Sequence, residues 1–299
     1  MGVVLPSQII VNGGTLIVGA DGLLGGALSR FWRRTGREVV ATSLRILEEG
    51  AVHLDIAQPE ETWPVLPKCS AAVLCAGITD LERCRRDPAG TRWVNVTQTL
   101  KLAHRLAGQG CFVVFLSSNL VFDGSKPLRH PAEPTCPKTE YGHQKAEAEA
   151  GLARLGNHFG VVRLTKVFHS EMPLVRGWIQ SLSDGKPIHP FADFMCSPIS
   201  LESTIRAIAT VAENQLSGIW HLSSSADITY AGIAQHIAGR QKFDAALVQP
   251  VSCRESATLE HRPLYTTLEA TRSQRELGFE IPDPVSVIDT TFLNELKPA

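Results

Sequence analysis

Nothing in this chain gives a disulfide framework or a structural zinc site a foothold. Its seven cysteines are an odd number and contain no C-x-x-C pair. Cys69, Cys75 and Cys111 lie in or beside apolar strand-like runs and read as buried small side chains. An excess of one charge is missing too. The 29 basic and 30 acidic side chains leave a formal net charge of −1, which gives no electrostatic case for nucleic acid or anionic membrane as a partner. No segment approaches the ~18–20 consecutive apolar residues of a membrane span. Met1 to Asn12 has no basic region followed by an apolar core, so it does not read as a signal peptide, and the expected location is cytoplasmic. There is no internal repeat and no low-complexity tract. The histidines, His221 and His236 among them, show no metal-ligand spacing and read as surface or hydrogen-bonded structural residues, so no metal is expected. What remains is 299 residues, 43% of them hydrophobic, enough for one large domain or one domain with a smaller cap.

The amino end carries the first positive signal. Thr15 to Val18 is a short apolar run that reads as a buried strand, followed at once by Gly19-Ala-Asp-Gly22-Leu-Leu-Gly25. Leu24 to Arg34 then has apolar residues at helical spacing and is closed by Gly36. Strand, tight glycine turn and helix together open a dinucleotide-binding βαβ unit. The glycines allow the turn and let backbone N–H groups approach a pyrophosphate, whose charge then faces the helix N-terminus. Gly19, Gly22, Leu23 and Gly25 are the candidate cofactor positions here.

The second signal is Tyr141-Gly-His-Gln-Lys145. On a helix Tyr141 and Lys145 leave the same face, and an ammonium beside a phenol favours the phenolate. That would turn a group with an ordinary pKa near 10 into a usable acid or base near neutral pH. Alone, Y-x-x-x-K also fits an ordinary helix surface. Its weight comes from its place downstream of the glycine turn and of the serine pair Ser117-Ser118.

Strands and helices alternate through this half. Strands are expected over Glu38–Ser43, Ala71–Cys75, Phe112–Ser117 and Val161–Leu164, with a helix over Trp93–Ala107. Such alternation implies α/β architecture, a Rossmann-type doubly wound parallel sheet covered by helices. Beyond Phe168 proline and glycine punctuate the chain. Helices are expected over Leu174–Ser183, Leu201–Glu213, Ile228–Gly239 and Leu268–Gly278, and a strand over Gly218–Leu222. The domain expectation is therefore an NAD(P)-binding Rossmann domain over 13–168. A small mixed α/β substrate lobe follows over 169–299, with segments returning to the main domain.

Taken together, the motifs resemble the dTDP-4-dehydrorhamnose reductase family of extended short-chain dehydrogenases. G-x-x-G-x-x-G is the glycine spacing such enzymes prefer. Phe115-Leu-Ser-Ser-Asn-Leu-Val-Phe-Asp-Gly124 is similar to the family's S-T-D-Y-V-F-D-G, and Tyr141 to Lys145 with Glu149 to its Y-G-x-S-K-x-x-x-E. Asn95 after Val94, Arg163-Leu-Thr165, Asp193 to Pro198 and Arg262-Pro263 before Leu268 extend the match from about Thr15 to about Gly278. The resemblance implies reduction of a nucleoside-diphosphate 4-keto-6-deoxy sugar, with hydride from a nicotinamide cofactor. Tyr141 would donate the proton, Lys145 would hold the nicotinamide ribose, and Ser118 would hydrogen-bond the carbonyl oxygen. Ser117 reads as structural, and Asn95 as either a helix support or part of a water relay. Asp55 and Ile56 would bracket the adenine, and Asn119, Val121 and Arg262 would lie on the substrate side. For Arg262 a structural pairing with a carboxylate is equally open. Trp178 and Trp220 read as packing rather than base stacking, and a homodimer is among the open assemblies.

Cofactor choice is read at the end of the second strand, where an acidic residue would bind both ribose hydroxyls and favour NAD. The chain has Ala41-Thr-Ser-Leu-Arg45 there, with no carboxylate until Glu48. Ser43 and Arg45 suit a 2′-phosphate, so NADPH is expected ahead of NADH; the other reading of Arg45 is a solvated loop residue. Ala76 and Gly77 would line the cofactor as a small-residue turn. Departures from the family concentrate on the substrate side: Asn119 replaces its aspartate, Leu120 its tyrosine, Phe194 its glutamine, Cys196 its glycine and Ile199 its threonine. They leave room for another keto sugar, for a noncatalytic NADP-binding regulatory subunit like that of methionine adenosyltransferase, or for a sugar-nucleotide epimerase. The intact Ser118, Tyr141 and Lys145 favour a reductase.

Overall fold

The computed structural model describes residues 14–45, 51–256, 259 and 261–293. Met1–Asn12 and Glu48, on which two expectations rested, lie outside the described residues.

The β-branched and apolar run Thr15–Val18 forms β1, fully buried along its length. Helix α1 follows over Leu23–Arg34 and buries Leu28 and Trp32. Arg33 and Arg34 in its last turn complement the helix dipole. Gly36 then takes a left-handed φ of +75°, which ends the helix. Strands β2 (Val39–Ser43), β3 (Val52–His53), β4 (Ala71–Leu74), β5 (Phe112–Ser118) and β6 (Phe159–Leu164) come next in the chain. Three short strands, β7 (Lys166–Phe168), β8 (Met195–Cys196) and β9 (Pro198–Ser200), precede β10 (Gly218–Leu222) and β11 (Ile228–Thr229). Seven of them form one sheet in the order β10-β6-β5-β4-β1-β2-β3. Its β3-β2-β1-β4-β5-β6 portion is the doubly wound Rossmann order, in which the connections diverge between β1 and β4. Both neighbours of β1 run parallel to it, with Ile17 opposite Ala41 on one side and Val73 on the other.

The chain divides into two compact units, each discontinuous in sequence. The first comprises the described residues up to Leu116 with Gln144–Val161 and Ile208–Gly218. Its core joins Leu16, Ile17, Val73, Val113 and Val114 of the strands to Leu28 and Trp32 of α1. The Trp32 indole N–H donates to Glu213 at 2.6 Å, so the largest core side chain is also satisfied as a donor. Helices α2 (Leu81–Arg86) and α3 (Pro88–Arg92) lead into the region expected to be one helix from Trp93. It is two pieces: a π-helical stretch over Trp93–Gln98 and α4 over Thr99–Gly108. The Thr99 hydroxyl donates to the Val94 carbonyl, five residues back, at 2.8 Å. Cys69 and Cys111 are not two isolated fillers: their sulfurs lie 2.9 Å apart, and that hydrogen bond lowers the Cys69 pKa and raises that of Cys111.

The second unit comprises Ser117–His143, Val162–Ala207 and the described residues from Ile219. Its core is Phe168, Val175, Trp178, Leu182, Ile233, Ile237, Ile288 and Phe292. These side chains come in part from α6 (Pro173–Ser183), α8 (Tyr230–Gln241) and α10 (Pro284–Ile288); α9 (Thr271–Leu277) lies in the same unit, whereas α5 (Glu140–Leu152) and α7 (Leu201–Glu213) each have residues in both units. Trp178 packs edge-on to Tyr230 and Trp220 is buried, so both are packing residues here. Among the described residues no helix is long and apolar enough to cross a membrane, and no group of His, Cys, Asp or Glu could hold a metal ion.

Candidate active site

The glycine turn after β1 is built for close backbone approach. Gly19 has φ +87°, and a Cβ there would lie 2.7 Å from the Ala76 nitrogen. Ala76 and Cys75 in turn donate their N–H groups to the Val18 carbonyl at 2.8 and 2.9 Å. A Cβ on Gly25 would lie 2.2 Å from the Gly19 carbonyl oxygen, so only glycine lets α1 start against the turn. Gly22 differs, because its Cβ would meet only the Gly19 oxygen, at 3.5 Å. Gly22 is the α1 N-cap and supplies no side-chain hydrogen bond, and the first turn has no acidic residue. The open face of Gly22 and an uncapped helix start fit the phosphates of a dinucleotide. The two glycines are therefore expected to fail differently. Gly25→Ala should lower stability by about 1–3 kcal/mol or more through overpacking. Gly22→Ala should keep the melting temperature and lose dinucleotide affinity, since its methyl group fills the approach rather than the core. Melting curves and cofactor titration of both variants check this.

The end of β2 is tied to the same turn. Gly19 and Ala20 donate to the Thr42 carbonyl at 3.2 and 2.8 Å. Ser43 is buried, and its hydroxyl oxygen accepts the Arg45 N–H at 2.9 Å, so it holds the strand end. Arg45 sits beside Asp21, with Nε 3.6 Å from the carboxylate. A carboxylate is thus present at the strand end after all, supplied by the glycine turn rather than by the local sequence. Asp55 accepts from Ala57 N–H at 2.9 Å and from the Gln58 amide at 3.2 Å, and Ile56 is buried. Past β4, Asn95 clamps the turn: its Oδ1 accepts the Ile78 N–H at 2.8 Å and its Nδ2 donates to the Ile78 carbonyl at 2.9 Å. A Cβ on Gly77 would lie 3.2 Å from that Oδ1. Asn95 also donates to Gln144 at 2.8 Å, and Gln144 donates to Thr91 at 2.8 Å. Asn95 therefore supports structure directly.

Helix α5 carries Tyr141 and Lys145 one turn apart. Its start is fixed by buried Thr139, whose hydroxyl accepts the Gly142 N–H at 3.0 Å. A Cβ on Gly142 would lie 2.2 Å from the Leu120 carbonyl oxygen. The absent side chain thus seats the turn bearing Tyr141 directly on the 3₁₀ turn Asn119–Val121 that follows Ser118. Tyr141 is 8% exposed, so its ring is packed. Ser118 Oγ accepts the Leu120 N–H at 3.2 Å and donates to Asn119 Oδ1 at 3.3 Å, a long bond that a better acceptor can replace. Neighbouring Ser117 has a buried hydroxyl without a partner. Lys145 is 6% exposed, donates to the Leu116 carbonyl at 2.8 Å and lies 4.4 Å from the centre of the Phe115 ring. Burial pulls its pKa from 10.5 down to about 8, against an upward pull from Glu149. A buried ammonium, glutamine and glutamate on one helix are costly in a core. Such a departure from apolar packing marks a working surface.

The substrate-side expectations divide. Asn119 lines an open cleft with Gly124, Lys126, Arg129, Pro263 and Tyr265. Lys126 and Tyr265 carried no motif and were not singled out from the sequence. Val121 is corrected: its side chain is 0% exposed and its carbonyl accepts the Cys136 N–H, so it is core and touches no solvent. Arg262 donates from Nε to the Cys253 carbonyl at 3.1 Å and from Nη2 to the Ser256 carbonyl at 2.8 Å. Its two partners there are carbonyls rather than a carboxylate. Arg163 and His221 approach within 3.3 Å in the same buried layer, and burial holds the His221 pKa down at about 3, so this histidine is a neutral structural group.

Residues 14–293 match the family model described as RmlD substrate binding domain. The chain belongs to that family. A dTDP-4-dehydrorhamnose reductase from Sinorhizobium fredii is 28% identical over 227 residues, 71% of this chain and 75% of its own length. A methionine adenosyltransferase 2 subunit beta from Pongo abelii is 23% identical over 263 residues, covering 81% and 76%. Among solved structures, a dTDP-4-dehydrorhamnose reductase from Bacillus anthracis in complex with NADP superposes with a TM-score of 0.80. It is 20% identical and the match covers 93% of this chain and 98% of that one, which establishes the shared fold. Family membership agrees with the motifs at Ser118, Tyr141 and Lys145, and the Rossmann-type sheet agrees with the alternation of strands and helices.

Proposed function

We propose that the protein is an NADPH-dependent reductase of a nucleoside-diphosphate 4-keto-6-deoxy sugar. The observation that carries this reading is the buried Lys145 ammonium, its pKa drawn down to about 8, on the helix that bears Tyr141. Gly19, Gly22, Leu23 and Gly25 would hold the dinucleotide phosphates, Arg45 the 2′-phosphate, and Ala76 and Gly77 the wall beside it. These cofactor positions all fall in the first compact unit, and the cleft lined by Asn119, Lys126 and Tyr265 falls in the second. When bound, the nicotinamide supplies hydride to the carbonyl carbon. Tyr141 donates its hydroxyl proton to the oxygen that becomes an alkoxide. Lys145 holds the nicotinamide ribose and keeps positive charge near the phenol, which favours proton release. Ser118 turns its hydroxyl from Asn119 to the carbonyl oxygen and fixes the direction of attack.

The experiment is a screen of NADPH oxidation against several nucleoside-diphosphate 4-keto-6-deoxy sugars, with calorimetric titration of NADPH and NADH alongside. Turnover with at least one sugar is expected, with NADPH bound more tightly than NADH. Arg45→Ala should narrow that gap without changing NADH affinity, a loss of ~1.5–3 kcal/mol for a charge-assisted contact. Tight NADPH binding without turnover on any sugar would instead favour a noncatalytic regulator. That second reading has in its favour the altered residues Asn119, Phe194 and Cys196 and the similarity to an adenosyltransferase subunit.

A further inference from the structure

We propose that Asp21 sets the cofactor preference of this chain, acting against NADPH from within the glycine turn. The inference rests on the dinucleotide reading above and adds to it a residue that no rule for β2 would select. In Rossmann folds a carboxylate at the end of β2 accepts from the adenosine ribose hydroxyls, and its absence admits a 2′-phosphate. The sequence after β2 lacks that carboxylate. The structure restores one from elsewhere. Gly19 and Ala20 are bonded to Thr42, at 3.2 and 2.8 Å to its carbonyl and 3.3 Å from Gly19 to its hydroxyl. The next residue, Asp21, is thereby delivered to the strand end, 3.6 Å from Arg45 Nε.

The two charges are unequally placed. The Asp21 side chain is 16% exposed, whereas that of Arg45 is 72% exposed and meets Asp21 through Nε. An arginine so solvated screens its partner weakly. A 2′-phosphate arriving here gains Arg45 but also meets the half-enclosed Asp21 carboxylate, and like charges at such separations repel. A 2′-hydroxyl meets no such repulsion and can donate to the same carboxylate. Asp21 therefore lowers affinity for NADPH and supports NADH, so the preference for NADPH is narrower than Arg45 alone would give.

The test is calorimetric titration of NADPH and NADH into the parent protein and into Asp21→Asn at low and high salt, with Asp21→Ser as a second variant. Asp21→Asn is expected to raise the ratio of NADH to NADPH dissociation constants by about tenfold at low salt, the scale of removing one like charge near the surface. The increase should shrink at high salt. An unchanged ratio in both variants, with both cofactors still binding the parent, overturns the role of Asp21 and leaves the reductase reading standing. Absence of NADH binding to the parent overturns the role of Asp21 alone, and failure of NADPH and NADH alike to bind overturns both readings.

Discussion

Replacing Tyr141 by phenylalanine is expected to slow keto-sugar reduction by at least ~10²-fold, the usual scale for a positioned acid. Fold and cofactor affinity should stay as they are. The ring of Tyr141 is packed, and its helical turn is fixed by the Thr139 cap and by the contact of Gly142 with Leu120. Phenylalanine keeps the ring, the cap and the contact, and removes one hydroxyl. A rate loss with an unchanged melting temperature and unchanged NADPH affinity identifies the hydroxyl as chemical. A noncatalytic regulator would show no such loss, because it would have no rate to lose.

Lys145→Met should lower both rate and NADPH affinity, and it also makes a stability prediction independent of any substrate. The folded pKa of Lys145 is about 8 against an ordinary 10.5. Below pH 8 both folded and unfolded chains carry the proton, and the folded state bears the full cost of the buried charge. Between pH 8 and 10.5 the unfolded chain keeps the proton and the folded chain sheds it, so stability rises with pH through that window. The difference corresponds to about 3 kcal/mol. Urea unfolding of the parent and of Lys145→Met, without cofactor, should show the parent gaining on the variant by about that amount between pH 7.5 and 10.5. Parallel curves would mean that Lys145 is not buried as a cation, and would remove its effect on the Tyr141 proton.

The elements most legible in the sequence were those whose periodicity was uninterrupted. Helix Leu201–Glu213 and strand Gly218–Leu222 have the bounds their patterns predict. Ile228 and Thr229 were expected to open a helix and instead pair with Met195–Cys196, as two β-branched residues can, with Thr229 capping the helix that starts at Tyr230. The helix expected from Leu268 begins only at Thr271, because Leu268 pairs with Arg129 and donates its N–H to Ser223 at 3.0 Å. β3 is two residues long, too short for any period to register. In the site, local chemistry was readable and three-dimensional delivery was not. Glycine spacing announced the turn at Gly19 to Gly25, and Y-x-x-x-K announced α5. Nothing in the order of residues says that Asp21 reaches the end of β2, since that depends on backbone hydrogen bonds from Gly19 and Ala20 to Thr42. Val121 lay inside a motif read as substrate-facing, but its place in a 3₁₀ turn sends the side chain inward.

The most direct measurement of the central claim is isotope transfer. NADPH carrying deuterium at the transferable nicotinamide position is incubated with the protein and a nucleoside-diphosphate 4-keto-6-deoxy sugar, and the product is examined by NMR and mass spectrometry. A reductase places the deuterium on the former carbonyl carbon, and Tyr141→Phe slows its appearance without weakening NADPH binding. Saturating NADPH binding with no deuterium on any of the sugars tested would contradict the assignment of Tyr141, Lys145 and Ser118 to catalysis.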